Sequence, residues 1–312
     1  MGFGYSARTV TTAAATSSLA ANRRGILSMA GAMACFVAND TLVKYASQAM
    51  PTLQLIFLRG IMSVVLVFAV AHAMGAAARL REIAGRWVVV RAVLEAGASI
   101  VYLAGLIHLP IANATAINLA SPLFMTVLAV AFLRERVGAE RWLMVVLGFA
   151  GVVLVIQPGV AGFNRYALVC LLATFLQALR DLLTRRIDAG VPAILITLAT
   201  TAVVTILSGG LSLFEGWRPF GAGQLAVLAL AAAFLMGAYY LIIDSMRHGE
   251  MSLVAPFRYS GLLYAPLVGY LAWGDVPNAL AWCGIVLMAG SGVYALHGER
   301  RRARGVRARA AA

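Results

Sequence analysis

The feature that most constrains this chain is a succession of apolar stretches, each about 20 residues long, separated by short charged or proline-bearing junctions. At 1.5 Å rise per residue, such a stretch in helical form crosses the roughly 30 Å hydrocarbon layer of a bilayer. Backbone N–H and C=O groups in lipid must be satisfied within the segment, and runs this long do not fit barrel strands, so the stretches are expected to be helices. Composition agrees: 62% of the 312 residues are hydrophobic and only 12% charged, against about 25% charged in a typical soluble domain. Ten spans are expected, at 25–46, 52–73, 87–108, 111–133, 142–157, 166–187, 191–213, 222–244, 251–273 and 278–297. Pro51, Pro110, Pro192 and Pro277 sit where new helices would start, and Trp87, Trp142, Trp217, Trp273 and Trp282 lie near span ends, as an interfacial belt requires.

The net charge of +13 invites a nucleic-acid reading, but no polar domain is present to carry a basic groove, and membrane orientation explains the charge better. Counted by side, eighteen arginines fall at the N-terminus, the loops after even-numbered spans and the C-terminal tail, whereas the opposite loops carry only Arg165 and Arg218. By the positive-inside rule both termini are cytoplasmic. Residues 1–24 are expected to form a disordered cytoplasmic tail without a cleavable signal, the first span acting as an uncleaved anchor, and residues 299–312 a basic cytoplasmic tail.

An internal repeat is legible in spacing. Asp40, Lys44 and Pro51 recur as Asp181, Arg185 and Pro192 with the same steps, offset by 141 residues; Glu135 with Trp142 recurs as Asp275 with Trp282, offset by 140. Two independent patterns agree on one register to within a residue. Each copy holds five spans, an odd number, so the copies insert with opposite orientation. The expected fold is therefore all-α and polytopic, ten transmembrane helices as two inverted five-helix repeats, spanning 25–159 and 163–298.

The stretch from Leu109 to Gly159, the run WGDVPNALAWCGIVLMAG at 273–290 and the phrase FLRG at 57–60 together resemble the EamA repeat of the drug/metabolite transporter superfamily. The resemblance covers about residues 25–298 and rests on the order and spacing of individually weak motifs. It implies two five-helix halves around a cavity lined mainly by spans one, three, four, six, eight and nine, in a bacterial inner-membrane carrier. Members move amino acids, nucleotide-like metabolites, vitamins and drugs in either direction. The opening ANDTLVKYA at 38–46, with Gln54 to Arg59 after it, resembles the riboflavin and S-adenosylmethionine importer branches more than amino-acid exporters; opine-type metallophore exporters of the same family are a further alternative.

A charge inside a span is costly and calls for an explanation. Asp40 and Lys44, four apart, are placed to pair on one helix face, as are Arg91 and Glu95, and Asp181 and Arg185. Those pairings are structural readings; the functional ones assign Asp40, Asp181, Glu95 and Arg59 to coupling or gating. Arg180, next to Asp181 but on another face, is expected to stand unpaired beside Gln177. Arg258 has no acidic residue at helical spacing in its own span, leaving Asp244 or Glu95 as partners on other helices, and with Tyr259 and Tyr264 it suits an anionic or aromatic ligand. Substrate contacts are thus expected from Arg258, Arg180, Gln177, Tyr259, Tyr264, Tyr240, Tyr102 and Asn118. Glycine-rich stretches at 148–152 and 289–293 imply close helix packing.

Enzyme motifs (GxSxG, HExxH, a P-loop) do not occur, the four histidines form no ligand cluster, and Cys35, Cys170 and Cys283 show no metal or disulfide spacing. No catalytic residue, metal or cofactor is therefore expected. The partners expected are a small-molecule substrate, the lipid bilayer and a proton or counter-solute, with no nucleic acid, in a monomer or homodimer. A channel or lipid scramblase is the rival class.

Overall fold

The computed structural model describes residues 6–134, 138–158, 164–184, 186–188, 190–248 and 254–310. Among these residues there is no strand. Eleven α-helices run α1 (Ser6–Ala46), α2 (Thr52–Ala73), α3 (Arg86–Leu106), α4 (Ile111–Asn118), α5 (Ser121–Leu133), α6 (Ala139–Ile156), α7 (Tyr166–Thr184), α8 (Ala193–Glu215), α9 (Ala222–His248), α10 (Gly261–Trp273) and α11 (Ala279–Ala310). Two 3-10 segments, Ala76–Ala84 and Ala255–Ser260, precede α3 and α10.

Among the described residues, seven stretches are long and apolar enough to cross a membrane: Asn22–Ala46, Thr52–Ala73, Arg86–Leu106, Ile111–Phe132, Tyr166–Thr184, Ala193–Glu215 and Ala222–Ser245. The other three segments read from the sequence coincide with the shorter apolar helices Trp142–Ile156 and Ala279–Tyr294 and with the 3-10 segment joined to α10. Large apolar side chains such as Phe214 and Leu271 are largely exposed on the outside of the bundle, which lipid tolerates and water would not. This is a multi-pass membrane protein.

Local chemistry sets the helix ends. Pro51, Pro110 and Pro192 occupy the N-cap positions of α2, α4 and α8 with extended backbone, where a ring-fixed φ costs nothing and no helical N–H is lost. Arg134 and Gln157 end α5 and α6 in left-handed conformation, at φ 52° and 51°. At the termini, α1 begins at Ser6 and α11 runs on to Ala310, through residues read from the sequence as a disordered tail and a basic tail. Residues 1–5 of the first tail, 311–312 of the second, the 159–163 linker, and the repeat residues Glu135 and Arg185 lie outside the described residues.

Among the described residues, two apolar stretches are interrupted. Ile111–Phe132 breaks at Leu119 and Ala120 between α4 and α5, with Pro122 in the first turn of α5. The stretch read from the sequence as 251–273 carries the 3-10 segment Ala255–Ser260 ahead of α10, with Pro266 inside α10. Packing pairs α1 with α9 and α3 with α7, α3 with α8 and α2 with α9, and sets α2 against α8, α4 against α10 and α6 against α11. The α6–α11 seam is backbone on backbone: a Cβ at Gly151 would lie 2.8 Å from the Gly284 carbonyl, and one at Gly284 2.5 Å from the Gly151 carbonyl. At the α3–α7 contact, a Cβ at Gly105 would meet Cys170 Sγ at 2.5 Å. Small residues let these helices approach where lipid offers no hydrophobic drive.

Candidate functional site

A cavity of about 320 Å³ lies among α1, α2, α3, α4, α7, α8, α9 and the 3-10 segment before α10. Its wall draws on the interrupted stretches at their breaks, through Asn118 and Leu119 at the end of α4 and Arg258 and Gly261 where the 3-10 segment meets α10. Helices α2 and α8 add to the six spans that the family resemblance implies, while α5, α6 and α11 contribute nothing to it.

The wall is far more polar than the helices that make it. Two carboxylates, Asp40 and Glu95, face four arginines, Arg59, Arg91, Arg180 and Arg258, alongside the amides of Asn39, Asn118 and Gln177. Hydroxyls come from Ser63, Ser99, Thr115, Thr197, Thr200 and Thr201. Ser63 Oγ is buried and makes no hydrogen bond among the described residues.

Side-chain pairing differs from the same-helix expectation. Asp40 does not pair with Lys44; it accepts from Tyr102 Oη at 2.9 Å and from Asn39 Nδ2 at 2.9 Å. Asn39 Oδ1 in turn accepts from Arg59 Nη1 at 3.1 Å. Lys44 reaches away from Asp40: it donates to the Leu109 carbonyl, lies 3.9 Å from the Asp275 carboxylate and sits over Trp273 at 4.9 Å. Arg91 does not pair with Glu95. It donates to Thr184 Oγ1 at 2.9 Å and Thr200 Oγ1 at 2.8 Å, while Glu95 takes an ion pair from Arg180.

Arg180 is thus not unpaired. Its Nε and Nη2 also fold back on Asp181, at 2.9 and 2.8 Å, a neighbour expected to be out of reach. A flexible three-carbon stem and a forked head let one guanidinium serve Glu95 across the interface and Asp181 beside it. The expected partner of Asp181, Arg185, is outside the described residues. Asp244 is held by Arg24 at 2.6 Å and Ser28 Oγ at 2.7 Å, so neither acid proposed for Arg258 is free for it. Arg258 is exposed into the cavity and makes no hydrogen bond or ion pair among the described residues.

Of the residues singled out from sequence, Arg258, Arg180, Gln177, Tyr102, Asn118, Asp40, Glu95 and Arg59 meet at this cavity. Asn118 Nδ2 donates to Gln177 Oε1 at 3.1 Å, joining α4 to α7. Asp181 stands behind Arg180, off the wall. Three tyrosines are elsewhere. The Tyr259 ring points at Gly292 of α11, Tyr264 packs into the core beside Met29 and Met33, and Tyr240 is 64% exposed on the outside. Its neighbour Tyr239 takes the cavity position, edge-on to Phe36 with ring centroids 5.6 Å apart. Adjacent residues on a helix lie about 100° apart, so choosing between them needs the packed structure. The α8 contribution also went unnoticed, although Thr197, Thr200, Thr201 and Val204 carry the i, i+3, i+4, i+7 signature of one helix face.

The polar bonds divide by end. Near the arginine-poor loops, α1 is tied to α3 by Tyr102–Asp40 and to the α3–α4 junction by Lys44–Leu109. Near the arginine-rich end, among the described residues, Arg24 bonds Asp244 within α1–α9, and Arg91 and Arg180 bond within α3, α7 and α8.

The sequence profile of the EamA-like transporter family matches residues 23–157 and again 164–296. A riboflavin transporter of Rhizobium johnstonii is 30% identical over 214 residues, covering 69% of this chain and 71% of that protein. A pseudopaline exporter of Pseudomonas aeruginosa is 26% identical over 85% of this chain and 93% of its own. An S-adenosylmethionine uptake transporter of Rickettsia bellii is 24% identical over 85% and 90%. A crystal structure of a protein 20% identical superposes with a TM-score of 0.64 over 90% of this chain and 99% of that one, a likeness of fold. The profile accounts for most of the sequence, and the chain belongs to the EamA-like transporter family.

Proposed function

We propose that the chain is a secondary transporter that carries a small organic metabolite across the bacterial inner membrane by alternating access. The carrying observation is the cavity: a polar, arginine-bearing chamber enclosed by helices whose outer faces are apolar. The cost of placing these ions among apolar helices is sensible only if polar cargo passes there. In this reading ten spans form two inverted five-span halves, with both termini cytoplasmic. The 141-residue register, the double profile match and the matched packing of α1 on α9 with α7 on α3 support it. So does the position of both broken spans at the cavity. The arginine-rich end is then cytoplasmic, and the cavity stands open toward it with the opposite end sealed.

Arg258, Arg180, Gln177, Asn118 and Tyr102 contact the cargo, and Asp40, Glu95, Asp181 and Arg59 serve coupling or gating. The relatives named for riboflavin and S-adenosylmethionine uptake favour import of a vitamin or nucleoside-like compound. The relative named as a pseudopaline exporter favours the second reading, export of an opine-type metallophore. The test is uptake of labelled riboflavin and S-adenosylmethionine by cells unable to make or import either, with efflux from preloaded cells as the second arm. Arg258→Ala, made at normal level, is expected to cut flux by about tenfold or more, equivalent to roughly 1.4 kcal/mol of binding. Flux equal to an empty vector in every arm ends the import and export readings for these cargoes, and undiminished flux in the variant removes Arg258 from the site.

A further inference from the structure

We infer that the cargo of this cavity bears an anionic group, a carboxylate or a phosphate, met by Arg258 and Arg91. The inference rests on the transporter reading above and narrows it to a chemical class. Its basis is which charges in the wall are already answered. Glu95 is taken by Arg180, which also donates through Nε and Nη2 to Asp181. Asp40 is covered by Tyr102 and Asn39, and Asn39 relays it to Arg59. Both acids of the wall are thereby spent on protein partners, and a cationic cargo would find no free carboxylate there.

The two remaining cations are in the opposite condition. Among the described residues, Arg91 hydrogen-bonds only to neutral hydroxyls, Thr184 and Thr200, through two of its five N–H groups, with the Asp181 carboxylate near it but already bonded to Arg180. Arg258 projects into the cavity with no hydrogen bond or ion pair among the described residues. Even with Asp181 counted against Arg180, the cavity keeps a positive surplus. An arginine that merely reaches the membrane surface would not need a place in the chamber wall; this one shares the wall with Arg91 and the α8 threonines. A forked guanidinium in a partly dry site binds carboxylate or phosphate oxygens strongly and with fixed geometry. The apolar part of the cargo would lie against Phe36 and Tyr239, on the α1–α9 side.

The experiment uses the full chain in detergent and in proteoliposomes, with matched probes: riboflavin against riboflavin 5′-phosphate, adenosine against adenosine monophosphate, and succinamide against succinate. Thermal unfolding across a concentration series reads binding; counterflow reads transport. At least one anionic probe is expected to bind about tenfold or more tightly than its neutral partner, as one bidentate charge-assisted contact permits. The phosphate and succinate arms tell which anion. Arg258→Gln and Arg91→Gln should each erase the preference, and Arg258→Lys should restore part of it in a protein that unfolds like the parent. Neutral probes binding as well as their anionic partners, no anionic probe binding at all, or the preference surviving both glutamine variants overturns the inference. A neutral solute carried without competition from any anion sinks this inference alone. An anion that binds but is never carried sinks the transporter reading and leaves the anion site standing.

Discussion

At the arginine-poor end of the cavity, side chains cross between the two sides: Tyr102 of α3 donates to Asp40 of α1, and Lys44 of α1 reaches the Leu109 carbonyl and Asp275. The start of α2 is fastened there as well, its Thr52 and Leu53 amides donating to Glu215 at 3.1 and 2.7 Å, and Gln54 and Arg218 exchanging bonds. At the arginine-rich end, among the described residues, the bonds of Arg24, Arg91 and Arg180 stay within α1–α9 or within α3, α7 and α8. Asp40 and Asp181 make the contrast sharp. They hold the same place in the two copies of the spacing pattern, yet Asp40 bridges two helices while Asp181 rests on the adjacent Arg180 with its side chain 35% exposed. Under the transporter reading proposed above, the unlike surroundings of these two residues would mark one state of a two-state molecule, latched at one end and released at the other.

Four substitutions test that contrast, from the largest expected effect to the smallest. Asp40→Ala should cost about 3 kcal/mol, because Tyr102 and the Asn39–Arg59 pair lose their anion in a largely buried place. Reversible unfolding in mixed micelles measures it, and a variant as stable as the parent would show that the latch carries no energy. Tyr102→Phe deletes one hydroxyl and should release the latch by about 1–1.5 kcal/mol, raising the labelling rate of a cysteine at Val37 roughly tenfold. The label is a membrane-impermeant maleimide applied on the side that the arginine-poor end faces; an unchanged rate would place the seal elsewhere. Asp181→Ala, the counterpart of the first change, should cost only about 0.5–1 kcal/mol, since its site is partly open and Arg180 keeps Glu95. A loss equal to that of Asp40→Ala would abolish the distinction between the ends. Lys44→Met should cost about 0.5 kcal/mol in the same unfolding assay, the worth of a long, half-screened ion pair and a ring contact; a loss several times larger would make Lys44 a principal part of the latch.

The span pattern, the proline junctions and most charged members of the wall were legible from residue order, because each depends on hydropathy and helical rise alone. Asp40, Arg59, Glu95, Arg180 and Arg258 were found simply by being ions in apolar segments. Their partners were not legible. Spacing of four residues suggested Asp40–Lys44 and Arg91–Glu95, but a helix inside a bundle offers its polar groups nearer alternatives on other helices, and long side chains take them. Tyr259 stands beside Arg258 in sequence, but its hydroxyl heads for Gly292 on α11, another helix. The threonines of α8 passed unnoticed because each bonds a carbonyl of its own helix, as Thr200 does to Ile196 at 2.7 Å, and so reads as an ordinary span residue.

The glycine seam between α6 and α11 has a consequence for how such a molecule can change its cargo over evolutionary time. Those two helices touch through bare backbone and lend no side chain to the chamber. The parts that choose a solute and the parts that brace the frame are therefore different stretches of polypeptide. A lineage can rewrite the former, one threonine or arginine at a time, while the latter stays fixed at two positions where even a methyl group would force the helices apart.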